Sequence, residues 1–229
     1  MELKFLKVPF TIFLLLVACI ANAEIEAMAG RVTLNDTRNI PAEFTHVCFD
    51  TPFSVPPLVF SLPNNSDENN RLALRIRNVT ETGFDIAQVE STEDANPNPP
   101  AGNVPQTVDF LAIAAGDYTL SNGSLMRVDT VDITDYQGRS VTGRSWHRVS
   151  TLDLGYTQSP TIIASIQTMN NELNPFPSSD PFLATAIRRV NNTRFDIALE
   201  RGETNTGTIN NTETIVFRQD RSSSIFTLM

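Results

Sequence analysis

The chain has 229 residues, a formal net charge of −9, 14 prolines, two histidines and two cysteines. Lys4 and Lys7 are its only lysines, which excludes Schiff-base chemistry and a phosphate-loop lysine in the body of the chain. The acidic balance makes nucleic acid a poor partner.

Residues 1–23 read as an export signal. Lys4 and Lys7 precede an apolar run, Val8 to Ile20, broken only by Pro9, Thr11 and Cys19, and Ala21-Asn22-Ala23 supplies the small-residue cleavage site. The run is too short to span a bilayer, and no second run of about 18 apolar residues follows. Leu16-Val17-Ala18-Cys19 also resembles a lipobox, so cleavage after Ala23 and lipoprotein anchoring at Cys19 both stand. Either way the protein is expected to be exported, to the periplasm, the cell surface or the medium. Cleavage after Ala23 leaves 206 residues, with 15 arginines against 25 acids. Cys48 is then the single cysteine, which rules out an internal disulfide or a cysteine metal cluster. It reads as a small buried apolar residue.

The remainder predicts an all-β fold. Short segments rich in Val, Ile, Phe and Thr alternate with Asn, Asp, Pro and Gly clusters, and no helical period is sustained. Predicted strands are Met28 to Leu34, Phe44 to Phe49, Leu58 to Leu62, Leu72 to Val79, Gly83 to Val89 and Thr107 to Ile113, with Ser91 to Gln106 as an exposed loop. Pro56-Pro57 cannot donate to a ladder and so fixes the start of the strand at Leu58. Gly83 suits a turn needing positive φ, and Phe84 and Phe195 suit a core.

The order then repeats. Thr82-Gly83-Phe84-Asp85-Ile86-Ala87 returns as Thr193-Arg194-Phe195-Asp196-Ile197-Ala198, and Phe53 to Phe60 is matched by Tyr156 to Ile163. Arg194 lacks the freedom of Gly83, so its turn must differ or be strained. A boundary at the Ser121-Asn122-Gly123-Ser124 turn gives two domains, 24–120 and 121–229. Near the C-terminus, Thr214-Ile215-Val216-Phe217 continues into Arg218-Gln219-Asp220 where the first copy has Leu111-Ala112-Ile113. The second final strand is therefore expected to be incomplete, through truncation or a frameshift.

Phe49-Asp50-Thr51-Pro52-Phe53-Ser54-Val55-Pro56-Pro57-Leu58-Val59, Asn69-Asn70-Arg71, Val79-Thr80-Glu81-Thr82-Gly83-Phe84 and Val108-Asp109-Phe110-Leu111-Ala112-Ile113 together resemble the H-type lectin domain, the family of snail agglutinin and the discoidin C-terminal domain. The likeness covers about Arg31 to Ile113 and recurs more weakly from Val128 to Phe217. Two such units behind an export signal further resemble the N-terminal part of MshQ-type proteins of mannose-sensitive haemagglutinin (MSHA) pilus systems, which are usually much longer. The resemblance implies two tandem six-stranded antiparallel β-sandwiches and a carbohydrate-binding, adhesive role. It also implies a trimer holding N-acetylgalactosamine-type or other sugars between protomers.

Alternation in Arg71 to Val79 places Arg71, Arg75 and Arg77 on one strand face. Such a stripe is either a solvated outer face or a set of donors for sugar hydroxyls or acidic sugars. Arg71 matches the family's sugar-contacting arginine. Ser91 and Thr92 stand where the family has aromatic and histidine contacts, which puts galactose-type specificity in doubt. Glu90, Glu93 and Asp94 are either hydroxyl acceptors or a solvated acidic loop. In the second copy Phe182 occupies the position of Arg71. Trp146, beside His147, is a candidate for sugar stacking or a core residue. The candidate carbohydrate-binding set is thus Arg71, Arg75, Glu90, Ser91, Thr92 and Trp146.

Catalysis, metal and cofactor are not expected. His46 and His147 lie in predicted strands with no nucleophile motif beside them, and Asp67-Glu68-Asn69 lacks calcium-loop spacing. The competing reading is a structural module of pilus assembly that binds no sugar.

Overall fold

The computed structural model describes residues 25–35, 43–63, 72–90, 105–138, 145–172, 181–202 and 207–220. Its first six strands are β1 (Ala27–Leu34), β2 (Thr45–Cys48), β3 (Leu58–Ser61), β4 (Leu72–Thr80), β5 (Gly83–Glu90) and β6 (Gln106–Ile113). They make two antiparallel three-stranded sheets, β1-β6-β3 and β2-β5-β4. Every predicted strand of this half is present to within one residue at each end. Alternation sends Val59, Ile76, Phe84, Ile86, Val108, Phe110 and Ala112 into the space between the sheets. There Phe84 meets Phe110 edge-on at 5.1 Å.

The second half comprises β7 (Gly116–Thr119), β8 (Leu125–Ile133), β9 (Tyr136–Gln137), β10 (His147–Ser150), β11 (Thr161–Ile166), β12 (Leu183–Arg188), β13 (Arg194–Arg201) and β14 (Glu213–Asp220). Its sheets run β11-β14-β8-β7 and β10-β13-β12. The three-strand path β8-β14-β11 repeats β1-β6-β3, and β10-β13-β12 repeats β2-β5-β4. Phe195, Ile197, Leu199, Ile215 and Phe217 fill the second core. Two strands are additional. β7 joins β8 through a tight turn closed by a Leu120 N–H to Ser124 carbonyl bond of 2.8 Å, with Gly123 at φ 78°. β9 pairs with β13 in parallel at Leu199 and Glu200.

The final strand is complete, contrary to the sequence expectation. β14 pairs with β8 over all eight of its residues and with β11 over six. Arg218-Gln219-Asp220 stays in the ladder because both neighbouring strands extend alongside it, and Arg218 Nη2 donates to Asp220 Oδ2 at 2.7 Å.

The two sandwiches pack face to face. Leu58 and Phe60 of β3, Ile113 of β6, Met126 and Val128 of β8, and Val216 of β14 form one buried cluster with Tyr118. Each such side chain contributes about 1.5–3 kcal/mol on burial. The exposed backbone at β3 is satisfied across the same boundary, where the Val59 N–H donates to Gln167 Oε1 at 2.9 Å. Among the described residues no helix is long and apolar enough to cross a membrane.

Two local expectations are corrected. Cys48 is exposed, not buried, because it points away from the core that its neighbours Val47 and Phe49 join. Gly83 is not at positive φ. Glycine is required there because a Cβ would lie 2.3 Å from the Val47 carbonyl oxygen. The second copy tolerates Arg194 through a different turn, in which Asn191 Oδ1 accepts from the Thr193 N–H at 2.9 Å, the Thr193 hydroxyl at 2.8 Å and the Arg194 N–H at 3.1 Å. Gly83→Ala is therefore expected to lower stability by about 1–3 kcal/mol, read as a shift in the urea midpoint with unchanged slope.

Candidate functional site

Arg71, Ser91 and Thr92 lie outside the described residues. Glu90 closes β5, where its backbone pairs with Leu72, and its side chain is likewise outside them. Arg75 and Trp146 are described, and the structure separates them.

Arg75 is buried instead of lying on an open face. Its side chain is 2% exposed and forms a two-pronged ion pair with Glu172, itself 1% exposed. Arg75 Nη2 also donates to the Leu183 carbonyl at 2.9 Å, and the guanidinium carbon lies 5.0 Å from the Phe182 ring centroid. Arg75 and Arg77 share a face of β4, and Arg75 is covered by the segment that follows β11.

That segment is held from the other side. Glu213, fully buried at the start of β14, accepts from the Thr168 hydroxyl, the Asn171 N–H and the Asn171 amide. Asn171 Oδ1 accepts in turn from the N–H groups of Asn210 and Asn211. This network delivers Glu172 to Arg75 and to the Leu183 N–H, which donates at 2.8 Å. Burial pushes the Glu172 carboxyl above its ordinary range, against the pull of the Arg75 charge and hydrogen bonds.

The outer faces of the β2-β5-β4 and β10-β13-β12 sheets carry a constellation that appears twice. In the first sandwich Arg77 lies over the Phe44 ring at 3.6 Å and 3.9 Å from Asp85. His46 Nδ1 and Asp85 Oδ1 share a 2.7 Å hydrogen bond, and Asn78, at φ 51°, donates to Asp85 Oδ2 at 2.8 Å. In the second, Arg188 lies over Trp146 at 4.0 Å, and Asp196 is met by Arg148 at 3.4 Å, Arg188 at 3.3 Å and Arg189 at 3.6 Å. Arg189 sits at φ 53°, as Asn78 does. The strand registers make these equivalences, since Arg77 faces Asp85 as Arg188 faces Asp196, and His46 faces Asp85 as Arg148 faces Asp196.

Trp146 is half-buried, with its ring against Arg188 on the outer face of the sheet. The sequence reading found Trp146 but not its arginines. The signal lay in the repeat itself, because Arg77 and Asp85 recur as Arg188 and Asp196 at the 111-residue spacing of the two Phe-Asp-Ile-Ala segments.

A cleft of about 280 Å³ between the sandwiches is lined by apolar side chains such as Phe60, Leu62, Leu111, Met126 and Ile163. It offers too few donors to orient a sugar. Among the described residues, no group of three or more His, Cys, Asp or Glu could hold a metal ion.

Two outcomes follow. Arg75→Ala strands the Glu172 charge in the interior and should cost about 3–5 kcal/mol in equilibrium unfolding, whereas Arg75→Met with Glu172→Leu should lie well above the single variant. For Asp85, burial disfavours the charge, but hydrogen bonds from His46 and Asn78 and the charges of His46 and Arg77 outweigh it, so its pKa is lowered. Native Asp85 thus binds fewer protons than the unfolded group. Its contribution is present above the unfolded value of about 3.9 and is lost as pH falls through the lower native value. Asp85→Asn should flatten that part of the stability–pH curve.

Comparison with curated proteins and with solved structures finds no match. Residues 44–96 match the family model described as H-type lectin domain, a stretch that contains β2, β3, β4 and β5 of the first sandwich.

Proposed function

We propose that the chain is an exported, lectin-like carbohydrate-binding protein with an adhesive role, made of an H-type lectin sandwich and a diverged second copy. One observation carries this reading. The H-type lectin match falls on four strands of a sandwich whose topology the chain then repeats. Export is supported by Lys4, Lys7, the Val8 to Ile20 run and Ala21-Asn22-Ala23, with anchoring at Cys19 as its variant. Arg71 is the residue of choice for the first sugar site, together with Glu90, Ser91 and Thr92; Glu90 pairs with Leu72, the residue after Arg71. The family resemblance favours N-acetylgalactosamine-like or acidic sugars and a trimer.

A second reading is a non-binding structural module of MSHA-type pilus assembly. It is favoured by Ser91 and Thr92, which offer no stacking surface where the family has aromatic contacts. Capture of purified pilins, undiminished by any sugar, would support it.

On a glycan array the mature protein should bind at least one saccharide class. Arg71→Ala should weaken that binding about tenfold or more, the effect of losing a charged hydrogen bond. The Arg75→Met, Glu172→Leu pair should bind as wild type does. No binding by any oligomeric form overturns the lectin reading.

A further inference from the structure

We propose that the outer face of the β10-β13-β12 sheet is a second binding site, for an anionic saccharide carrying a carboxylate or sulfate ester. The saccharide part of this inference rests on the lectin reading. The anionic part rests on geometry alone.

Asp196 is 3% exposed and three guanidinium groups surround it, with side chains 56% (Arg148), 39% (Arg188) and 59% (Arg189) exposed. One negative charge against three positive ones leaves this cluster at +2 in a chain of formal net charge −9, with the exposed Glu200 four residues farther along the same face of β13. Arg194 adds to the surplus. It stands two residues before Asp196 on the same face of β13, and its Nε is buried with no partner among the described residues.

The contacts with Asp196 are long and single-pronged. Arg148 and Arg188 approach through Nε at 3.4 and 3.3 Å, and Arg189 through one terminal nitrogen at 3.6 Å. A guanidinium carries five N–H donors and a carboxylate about four acceptor sites. Among the described residues, one Asp therefore leaves terminal N–H donors of these arginines, of which Arg188 also stacks on Trp146, to grip a second oxyanion in the two-pronged manner they favour. Arg75 with Glu172 shows what a saturated pair looks like in the same molecule, and this cluster is not one.

Backbone conformation supports a role for the cluster beyond packing. Arg189 has a left-handed φ of 53°, which is unfavourable for a bulky side chain. The equivalent residue of the first sandwich is Asn78, a residue type that tolerates this conformation. The second copy thus carries strain that places a third guanidinium at the carboxylate, and such strain collects at binding sites. Trp146, fixed by Arg188, borders the cluster with an aromatic surface suited to a sugar ring.

The first sandwich is the internal control. Arg77 and His46 face Asp85 there, and Asn78 stands where the third arginine would be, so no comparable surplus exists.

The test is isothermal titration of the mature chain, at low salt, with a sulfated heparin-derived hexasaccharide, a galacturonate hexasaccharide, neutral dextran, N-acetylgalactosamine and a single-stranded oligonucleotide. The sulfated or the galacturonate ligand should bind and dextran should not, and which of the two binds identifies the anionic group. Arg189→Gly relieves the strain, so its melting temperature should be equal to or above wild type while anionic-saccharide affinity falls about tenfold. Arg148→Gln should produce a similar loss, and N-acetylgalactosamine binding, if seen, should be unchanged in both variants.

Failure of both anionic saccharides to bind overturns the proposal, as does undiminished binding by Arg189→Gly and Arg148→Gln. Equal affinity for the oligonucleotide, lost in parallel, overturns it in favour of a general polyanion patch. Neutral-sugar binding without anionic binding would sink this site and leave the lectin reading standing, and the converse would separate them the other way.

Discussion

Strands β6 and β14 are each packed on two sides, and the arrangement of the rest follows from that. Val108, Phe110 and Ala112 look into the first core while Ile113 looks toward the second sandwich. Ile215 and Phe217 look into the second core while Val216 looks back. With their inner sheets in contact, the two units expose only outer sheets, strand ends and loops. The buried Arg75–Glu172 pair fastens the same junction from the side, and Gln167 seals the backbone of β3. Such a pair need not add net stability over an apolar replacement, but its cost if half-removed makes it a strong determinant of how the units fit.

This double burial also explains what could be read from the sequence. Strands that are apolar on both sides appear as continuous runs, Leu58-Val59-Phe60 and Ile215-Val216-Phe217, which turn chemistry delimits well. The first-half strands were legible to within one residue at each end. Arg218-Gln219-Asp220 was misread because polar residues at a strand end look like a break, whereas the ladder to β8 and β11 holds them in place. The fate of Arg75 was not legible at all, because its partner Glu172 lies 97 residues away and reaches it only through the Glu213–Asn171 network. A stripe of arginines on one strand says which side they point to, not what covers them.

Duplication carries further than the hexamer that reveals it. A cation over an aromatic ring, with an aspartate across the ladder, occurs at equivalent places in both sandwiches although Phe44 has become Trp146 and His46 has become Arg148. What is retained is the geometry of a hairpin and its neighbouring strand. What has changed is the charge around the aspartate, near balance in one copy and in surplus in the other. That pattern is the expected result of keeping a scaffold while altering the residues that project from it.

The turn ends of the β4–β5 and β12–β13 hairpins have diverged in charge. Leu72 pairs with Glu90 at the end adjoining Arg71, and Arg77 pairs with Asp85 toward the turn, five residues or about 17 Å along the strand. In the first copy the turn end is electrically quiet, with Arg77 and His46 both facing Asp85. In the second copy Phe182 packs on Arg75, while Arg148, Arg188 and Arg189 gather around Asp196 at the turn end. Because the inner sheets lock the units together, the two turn ends, one near charge balance and one cationic, are held in a fixed relation to each other.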